Sequence, residues 1–587
     1  MNPTKTLIVA PLALAALAAL AEPSTANEPL ETDPGGNEGA LSTVVYDLSG
    51  LGGGAHSEKI GLSVMPFLEE WDEDDHSDAD LTEPFYSLLV DSVYSDEFQY
   101  EGREIELMHD ERLLVTAPTS VHSDIAELLE YLDSASSRQA QVRWDVYEIM
   151  AAPEGDSPLG QTSLQAMIDG GEAVLLQSRS ESVPVGRTVR RGSERTQQLL
   201  SHWDSEIAAS STGNAASPRN LIGGLTLLLR VEDVPGTEGQ RLRMVQRMVG
   251  EPTLTSTEIE APERVVMESS STSLSQRRSH DLFRAEATTV ASSGVLLEGQ
   301  ALLSSAWCRT VSGVSGRLTR LVLEHVDPAP APVQIGGLEV RLIDLSAFYW
   351  AGFDGPIVPA DKMQGRDGSH TRSYREDDEE FSKLTFPGED IDWDVSVSQV
   401  VYPLEWEDGG SIWSERNWML LAGPGAQVAA RLARLPSRLP VSEAVLFEWG
   451  LENGAGSTLA GGRLDLEQHA DGLVMVGEAL SYLHGREVDV ASNAMNTETE
   501  VAEALDGLWL VAHANGRGSV EIDVARNHLV SLHEARMGSG QEGVYQRAVF
   551  DSSDVALRCA ADGQRHDLAE LSASPGNAKL WVRATLR

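Results

Sequence analysis

The chain is 587 residues long with 41% apolar residues, room for about four domains at roughly 150 residues each and too apolar for a wholly disordered protein. Its formal net charge is −47, with Lys+Arg 44 against Asp+Glu 91. Such a surface repels phosphate backbones and anionic membranes, which excludes nucleic acid as a partner class and points to a solvated exterior.

The start, MNPTK followed by an Ala- and Leu-rich run over 7–20 and then Ala21-Glu22, reads as a secretory signal peptide over 1–21. The run falls short of the ~20 apolar residues a membrane helix needs, and no later stretch reaches that length, so no transmembrane segment is expected in the mature chain. Residues 22–40 (EPSTANEPLETDPGGNEGA) form a Pro, Gly and acid-rich flexible tether. Export permits disulfides, yet Cys308 and Cys559 are the 2 cysteines present. One bridge is open to them; a disulfide framework is excluded.

A strand is predicted over 43–48, then an acidic segment over 69–80 and an amphipathic helix over 85–94 with Leu88, Leu89 and Val93 inward. A strand over 112–116 turns at Ala117-Pro118-Thr119 into a helix over 121–132. Ser120 is its expected N-cap, Asp124 sits near its positive end, and Val121, Ile125, Leu128, Leu129 and Leu132 make one stripe. A strand over 141–149 leads into 150–328, where short Val, Leu and Thr runs predict β structure. The polar intervals 192–220 and 251–280 read as long exposed loops, and 327–334 (DPAPAPVQ) as a Pro-rich joint.

The second half repeats this plan: a strand over 338–345, an acidic run at 376–380, a helix-like stretch over 395–402, a strand over 417–421, a turn at Pro424, a helix over 426–435 and a strand over 444–449. Gly425 and Ala426 replace Thr119 and Ser120 at the helix start. Matches keep their order, with Asp47/Asp344 at an offset of 297, Pro118/Pro424 at 306, Glu148/Glu448 at 300 and Gln300/Gln564 at 264. Gly224–Val231 (GLTLLLRV) corresponds to Gly507–Ala514 (GLWLVAHA), and Arg284-Ala285 to Arg547-Ala548. Insertions in loops account for the drift.

The expected fold class is therefore α+β, two tandem repeats, each a small βαβ-type domain followed by a β-rich domain. The divisions are 41–149 and 150–328, a linker at 329–337, then 338–449 and 450–587.

The segments LLVTAPTSVHSDIAELLEYL, QVRWDVYEI, ARLPSRLPVSEAVLFEW, GGLTLLLRVEDVPGTEGQRLRM and TTVASSGVLLEGQALL resemble the secretin family, outer-membrane channels of bacterial secretion systems. That resemblance implies secretin N-domain-like small modules, each followed by a secretin-like β domain. Two features depart from the family pattern. A secretin is not expected in tandem, and the near-continuous apolar run Leu225–Leu229 suits a core strand covered on both sides rather than a lipid-facing one.

Motifs for chemistry are sparse. GxSxG, HExxH, CxxC and GxxxxGK[ST] patterns are absent. GSGQEG over 538–543 fits GxGxxG but precedes a strand-like segment, so it reads as a hairpin loop. Asp72, Asp74, His76, Asp78, Asp80 and Glu83 follow a calcium-loop spacing, with Ser77 in place of the turn-forming glycine. That segment reads as a solvated acidic loop, and His109-Asp110-Glu111 as a polar turn. Asp47, Asp344, Glu148 and Glu448 recur at strand ends without a recurrent His, Ser or Cys, which favours structural roles. Trp350, Trp393, Trp406, Trp413, Trp418 and Trp449 could form a glycan platform but fit core packing better.

The sequence thus points to an exported, non-enzymatic envelope protein that binds or scaffolds through sheet edges, periplasmic, envelope-bound or extracellular, with protein partners or copies of itself. No catalytic, cofactor-binding or metal-ligating residues and no cofactors are assigned. The alternatives are a secretion-channel subunit and a metal-dependent secreted hydrolase.

Overall fold

The computed structural model describes residues 81–344 and 411–586, with short interruptions, together with 40–49, 51, 62–63, 68–69 and 383–384. The segments read as signal peptide and tether, the acidic runs over 70–80 and 376–380, and the helix read over 395–402 lie outside the described residues.

The first half contributes β1 (Leu41–Asp47), β2 (Leu62–Ser63), β3 (Leu68–Glu69), α1 (Thr82–Ser87), β4 (Glu104–Met108), β5 (Arg112–Pro118), α2 (Thr119–Ser136), β6 (Gln139–Ile149), α3 (Gln161–Asp169), β7 (Ala173–Pro184), β8 (Thr188–Ala208), β9 (Ser211–Asp233), β10 (Gln240–Val249), β11 (Thr253–Met267), β12 (Ser270–Leu296), β13 (Ala301–Thr310) and β14 (Gly313–Val326). The second contributes β15 (Val333–Ile335), β16 (Leu338–Asp344), β17 (Lys383–Leu384), β18 (Ser411–Glu415), β19 (Trp418–Gly423), α4 (Gly425–Leu432), β20 (Ala444–Asn453), β21 (Thr458–Glu467), β22 (Asp471–Ala491), β23 (Ala494–Asn515), β24 (Ser519–Met537), β25 (Glu542–Ala560), β26 (Asp562–Ala573) and β27 (Gly576–Leu586). The protein is mostly β, with few helices and several antiparallel sheets.

Two small sheets have the orders β1-β5-β4 and β15-β16-β19-β18. Leu41 lies opposite Pro118 and Asp47 opposite Arg112; Glu339 lies opposite Gly423 and Asp344 opposite Trp418. The helix after β5 buries Val121, Ile125, Leu128 and Leu132. It begins at Thr119 rather than behind a Ser120 cap, because Pro118 at φ −62° turns the chain into the helix without a side-chain acceptor. The Leu342 N–H donates to Tyr131 Oη at 2.9 Å, and one apolar core joins Ile125 and Leu128 to Val340, Trp418 and Leu420. The helix expected over 85–94 is α1 continued by a π-helical turn, Leu88–Val93, with Phe85, Leu88 and Leu89 buried.

The strand after each helix does not close a βαβ unit. β6 and β20 leave the small sheets and enter an eight-stranded sheet of order β26-β27-β20-β21-β13-β14-β6-β7. A ten-stranded sheet follows the path β11-β12-β10-β9-β8-β23-β24-β25, with β22 between β12 and β23. Strands of 150–328 and of 450–587 therefore share both large sheets.

The intervals read as exposed loops, 192–220 and 251–280, are instead the long hairpins β8–β9 and β11–β12. Their polarity marks solvated strand rather than loop. Ladder hydrogen bonds begun in the apolar segments Leu225–Val231 and Leu282–Val295 propagate outward through Ser- and Thr-rich sequence that fits a pleated strand. Their far ends curl back: β11 meets β23 at Glu263–Val265 and β8 meets β23 at Glu500↔His202.

The two large sheets face each other. Val142, Trp144 and Val146 of β6 pack on Leu225, Leu227 and Leu229 of β9, while Phe447, Trp449 and Leu464 pack with Val474, Leu508 and Leu510. On the other face of the ten-stranded sheet Leu228, Val245, Met475 and Trp509 form a separate core. Both faces of Leu225–Leu229 are thus covered, as its continuous apolar run predicts.

Charges are also buried, on the same face of β9 and β10 as Leu228 and Val245. Glu232 lies 3.0 Å from Arg230, 3.3 Å from Arg243 and 3.7 Å from Arg241. Arg241 donates to both carboxylate oxygens of Glu467, at 2.6 Å each. Burial works against the charge on Arg241, but the Glu467 carboxylate outweighs it and holds the guanidinium above its ordinary pKa. Arg243 is pulled down to about 10, by burial first and by neighbouring arginines, with Glu232 opposing.

Removing Glu467 leaves Arg241 charged and buried. Glu467→Ala should lower unfolding free energy by about 3–5 kcal/mol, whereas Arg241→Met with Glu467→Leu should recover most of the loss. Urea unfolding of the three variants checks this, and an unchanged midpoint for Glu467→Ala contradicts it.

Candidate functional site: the sheet edges

The recurrent acids are engaged within the fold. Glu148 lies 3.1 Å from Arg317 across β6 and β14, and Glu448 lies 3.5 Å from Arg583 across β20 and β27. Asp47 accepts the Ser49 N–H at 3.0 Å, and hydrogen bonds from Ser49 hold its carboxyl below the ordinary range. Asp344 is buried in a different setting, beside Gly186 (φ 78°) in the turn between β7 and β8, where an added Cβ would come 2.9 Å from Asp344 Oδ2. Only a glycine with left-handed backbone fits there.

Among the described residues no group of three or more His, Cys, Asp or Glu is placed to hold a metal ion. Asp72 to Asp80 and His109-Asp110-Glu111 lie outside them, as do Trp350, Trp393 and Trp406. Trp418 and Trp449 are buried in cores, and Trp413 packs against the core that holds Trp418. The GSGQEG segment joins the paired strands β24 and β25, although 538–541 lie outside the described residues. Cys308 and Cys559 are both free thiols, so the bridge left open by the sequence does not form.

What the structure does bring together is the two halves. β13 pairs with β21 from Ser305↔Arg463 to Cys308↔Ala460, and β12 pairs with β22 from Arg284↔Leu480 to Ala291↔Leu473. Side chains reinforce both ladders. The Leu303 N–H donates to Asp465 at 3.1 Å, Arg309 Nε to the Thr458 carbonyl at 2.8 Å, and the Phe283 N–H to Ser481 Oγ at 2.7 Å. With Arg241–Glu467 they tie first-half strands to second-half strands in both layers. Partners 226 residues apart, such as Arg241 and Glu467, leave no mark in local sequence; only the apolar character of β12, β13, β21 and β22 hinted that both their faces are covered.

The outer edges differ. Among the described residues β7 has β6 as its one ladder partner, and β8 between Thr188 and Leu200 has only β9. At the other end β25 pairs with β24 and β26 with β27. Val174, Leu175 and Leu176 stand exposed on β7, and Ser193–Gln198 are exposed on β8. Leu302–Trp307 of β13 are buried, whereas Asp562–Asp567 of β26 are exposed or half-buried. Open edges bearing apolar side chains are ready to pair with another strand.

No family model matches the chain, and no curated protein does. Among solved structures it is similar to the secretin-domain β-barrel of InvG from the Salmonella SPI-1 injectisome, at 13% identity over 49% of this chain and 89% of that one, with a TM-score of 0.20. It is also similar to Aeromonas hydrophila ExeD, at 10% identity over 93% of this chain and 90% of that one, with a TM-score of 0.11. A chain of the Klebsiella pneumoniae type II secretion system outer membrane complex aligns at 10% identity over 96% of this chain and 78% of that one, with a TM-score of 0.11. The likeness to secretin-type proteins is of low identity and broad coverage. At such TM-scores the strand pairing within this chain is the firmer guide.

The two thiols, Cys559 buried and Cys308 half-buried, give a direct check on the junction. Burial, with Glu286 and Asp506 nearby, pushes Cys308 up to about 12, and burial pushes Cys559 up to about 11 against a hydrogen bond from the Val520 backbone. Both should react with iodoacetamide at pH 8 far more slowly in the folded chain than in urea, since the thiolate is the nucleophile. Equal rates in the two states would contradict this packing.

Proposed function

We propose that the chain is an exported, non-enzymatic structural protein of the cell envelope, an internal duplication whose halves stand side by side as consecutive segments of one two-layered β-wall. The division into 41–149 with 150–328 and 338–449 with 450–587 belongs to this proposal. Several features support the duplication. Strand order is β13-β14-β6-β7 in one half of the eight-stranded sheet and β26-β27-β20-β21 in the other. The Glu148–Arg317 and Glu448–Arg583 pairs take equivalent places in them. The small sheets add β1-β5-β4 and β16-β19-β18, each with a helix following its central strand.

Within the eight-stranded sheet the ladder sets Ala306 and Arg565 opposite Arg317 and Arg583. Equivalence by strand position therefore replaces the sequence offset of 264 between Gln300 and Gln564.

The observation that carries the proposal is the double junction, β12–β22 in one layer and β13–β21 in the other. Halves that were independent β domains would each keep their edges; these share them in both layers. The envelope location rests on the signal peptide read at the start of the sequence.

One observation favours the channel-subunit alternative. The hairpins of the ten-stranded sheet are long, β9 having 23 residues and β23 having 22. At about 3.3 Å per residue each strand exceeds the ~30 Å of a bilayer core. Conductance of the purified protein in planar bilayers distinguishes a channel from a wall without one.

Glu286 and Glu478 face each other across β12 and β22. In a chain carrying Cys308→Ser and Cys559→Ser, the pair Glu286→Cys and Glu478→Cys should oxidise to a cross-link within a single chain. Its mobility shift on a non-reducing gel, at unchanged mass, is the expected result. Free thiols after oxidation of the folded protein would overturn the side-by-side arrangement.

A further inference from the structure

We propose that the inner face of the ten-stranded sheet holds a small oxyanion of the phosphate class, bound by Arg230 and Arg243 and by the hydroxyls of Thr188 and Ser293. These residues form one row across adjacent strands. Thr188 of β8 lies opposite Arg230 of β9, Arg230 opposite Arg243 of β10, and Arg243 opposite Ser293 of β12. Residues directly opposite each other point to the same face, with Cβ atoms about 5 Å apart. The row is buried: Thr188 is 8% exposed, Ser293 2% and both arginines 1%.

That face is concave. β8 meets β23, and β22 pairs with both β12 and β23, so the path β12-β10-β9-β8-β23-β22 returns on itself. Leu228 and Val245, the next pair on the same face, share an apolar core with Leu473 and Met475 of β22 and Trp509 of β23. Side chains of the row therefore converge in a desolvated space instead of fanning out into water.

Charge supplies the first argument. Arg230 and Arg243 are like charges set side by side, which weakens a ladder unless negative charge is held close to both. Glu232 does part of this, at 3.0 Å from Arg230 and 3.3 Å from Arg243. Arg241, opposite Glu232, is engaged by both oxygens of Glu467. The charged groups that act on Arg243 are Glu232, Arg241, Arg230 and Glu467. Together with Arg243 they set three guanidiniums against two carboxylates. The excess is one positive charge, in a place where uncompensated charge is costly. A singly charged oxyanion cancels it.

The hydroxyls define the shape of the ligand. Thr188 Oγ1 and Ser293 Oγ have no hydrogen-bond partner among the described residues. Each stands beside a guanidinium, which donates and cannot accept, so the hydroxyl proton needs an acceptor from elsewhere. A buried water would serve the hydroxyls and leave the charge. A halide would serve the charge but offers a single point to donors spread along a row. An oxyanion presents several acceptor oxygens and matches the guanidinium fork.

The row lies three residue pairs in from the end of the β9–β10 ladder, and Thr237 and Glu238 of the turn beyond it are exposed. A free ion has a short way in from there. Phosphate carried on a membrane headgroup cannot follow it to side chains buried this completely. Glu467 reaches Arg241 from β21, so the ion sits beside a contact that ties the two halves and stabilises it.

Equilibrium dialysis of the full mature chain against labelled inorganic phosphate, in a background of sodium chloride, tests the site. Saturable binding at a single site is expected. A net charge of −47 repels anions from the surface, so non-specific uptake does not imitate it. Ser293→Ala and Thr188→Val should each weaken binding about tenfold, and Arg243→Met should abolish it. If Arg243→Met does not fold, the two hydroxyl variants carry the test, because each removes one donor without adding volume. Thr289→Val removes another buried hydroxyl without a partner, opposite Arg247 and outside the row, and should bind as the parent does. Parent protein that takes up no phosphate, or hydroxyl variants that bind it equally well, would overturn the site. A loss on Thr289→Val equal to that on Ser293→Ala would overturn its placement on this row.

Discussion

A strand at the rim of a sheet leaves a row of backbone donors and acceptors unpaired, and that constraint organises this chain. Each half ends in two such rims, one per layer. The first half meets the second through β12–β22 and β13–β21 together, so four rims are satisfied within one molecule. Loss of one ladder would expose backbone in both partners and uncover cores that span the junction, such as the one joining Val290 and Ala306 to Leu464 and Val474. The two ladders hold each other in place because the sheets that carry them are packed face to face.

A buried ion cluster makes that arrangement selective. Desolvating Arg230, Arg241 and Arg243 is costly, and Glu232 with Glu467 offsets it only while β10 and β21 are held together. A purely apolar contact would tolerate sliding by a residue pair; a bidentate Arg241–Glu467 contact does not. We regard the ion cluster as setting the register of one half against the other, with the apolar cores supplying most of the stability. Outside this junction the chain's large negative charge keeps surfaces apart, and the weakly basic stretch from Ala173 to Ala208 stands out against it.

Local structure was legible where its causes are local. The stripe Val121, Ile125, Leu128, Leu132 forms the predicted helix, and the residues matched at spacings of 297 and 306 lie on corresponding strands of the small sheets. The two-sided burial of Leu225–Leu229 followed from its near-continuous apolar run. Polarity misled over 192–220 and 251–280, because a long hairpin extending past its core is held by its ladder and need not alternate. The destination of β6 was hidden as well, since the alternation that marks a strand says nothing about which sheet receives it. Least legible was the candidate site itself. An edge is defined by the lack of a neighbour, which no residue type encodes, and Leu175 and Leu464 look alike in sequence though one is half-exposed and the other buried.

The central claim is that the halves share both sheets, and backbone amide hydrogen exchange of the isolated chain tests it most directly. Amides of β13 near Ser305–Cys308, of β21 near Ala460–Arg463 and of β22 near Leu473–Leu480 should be protected to the same degree as the central strands β9 and β23. Exchange in those segments as fast as in the connecting turns would contradict the shared sheets.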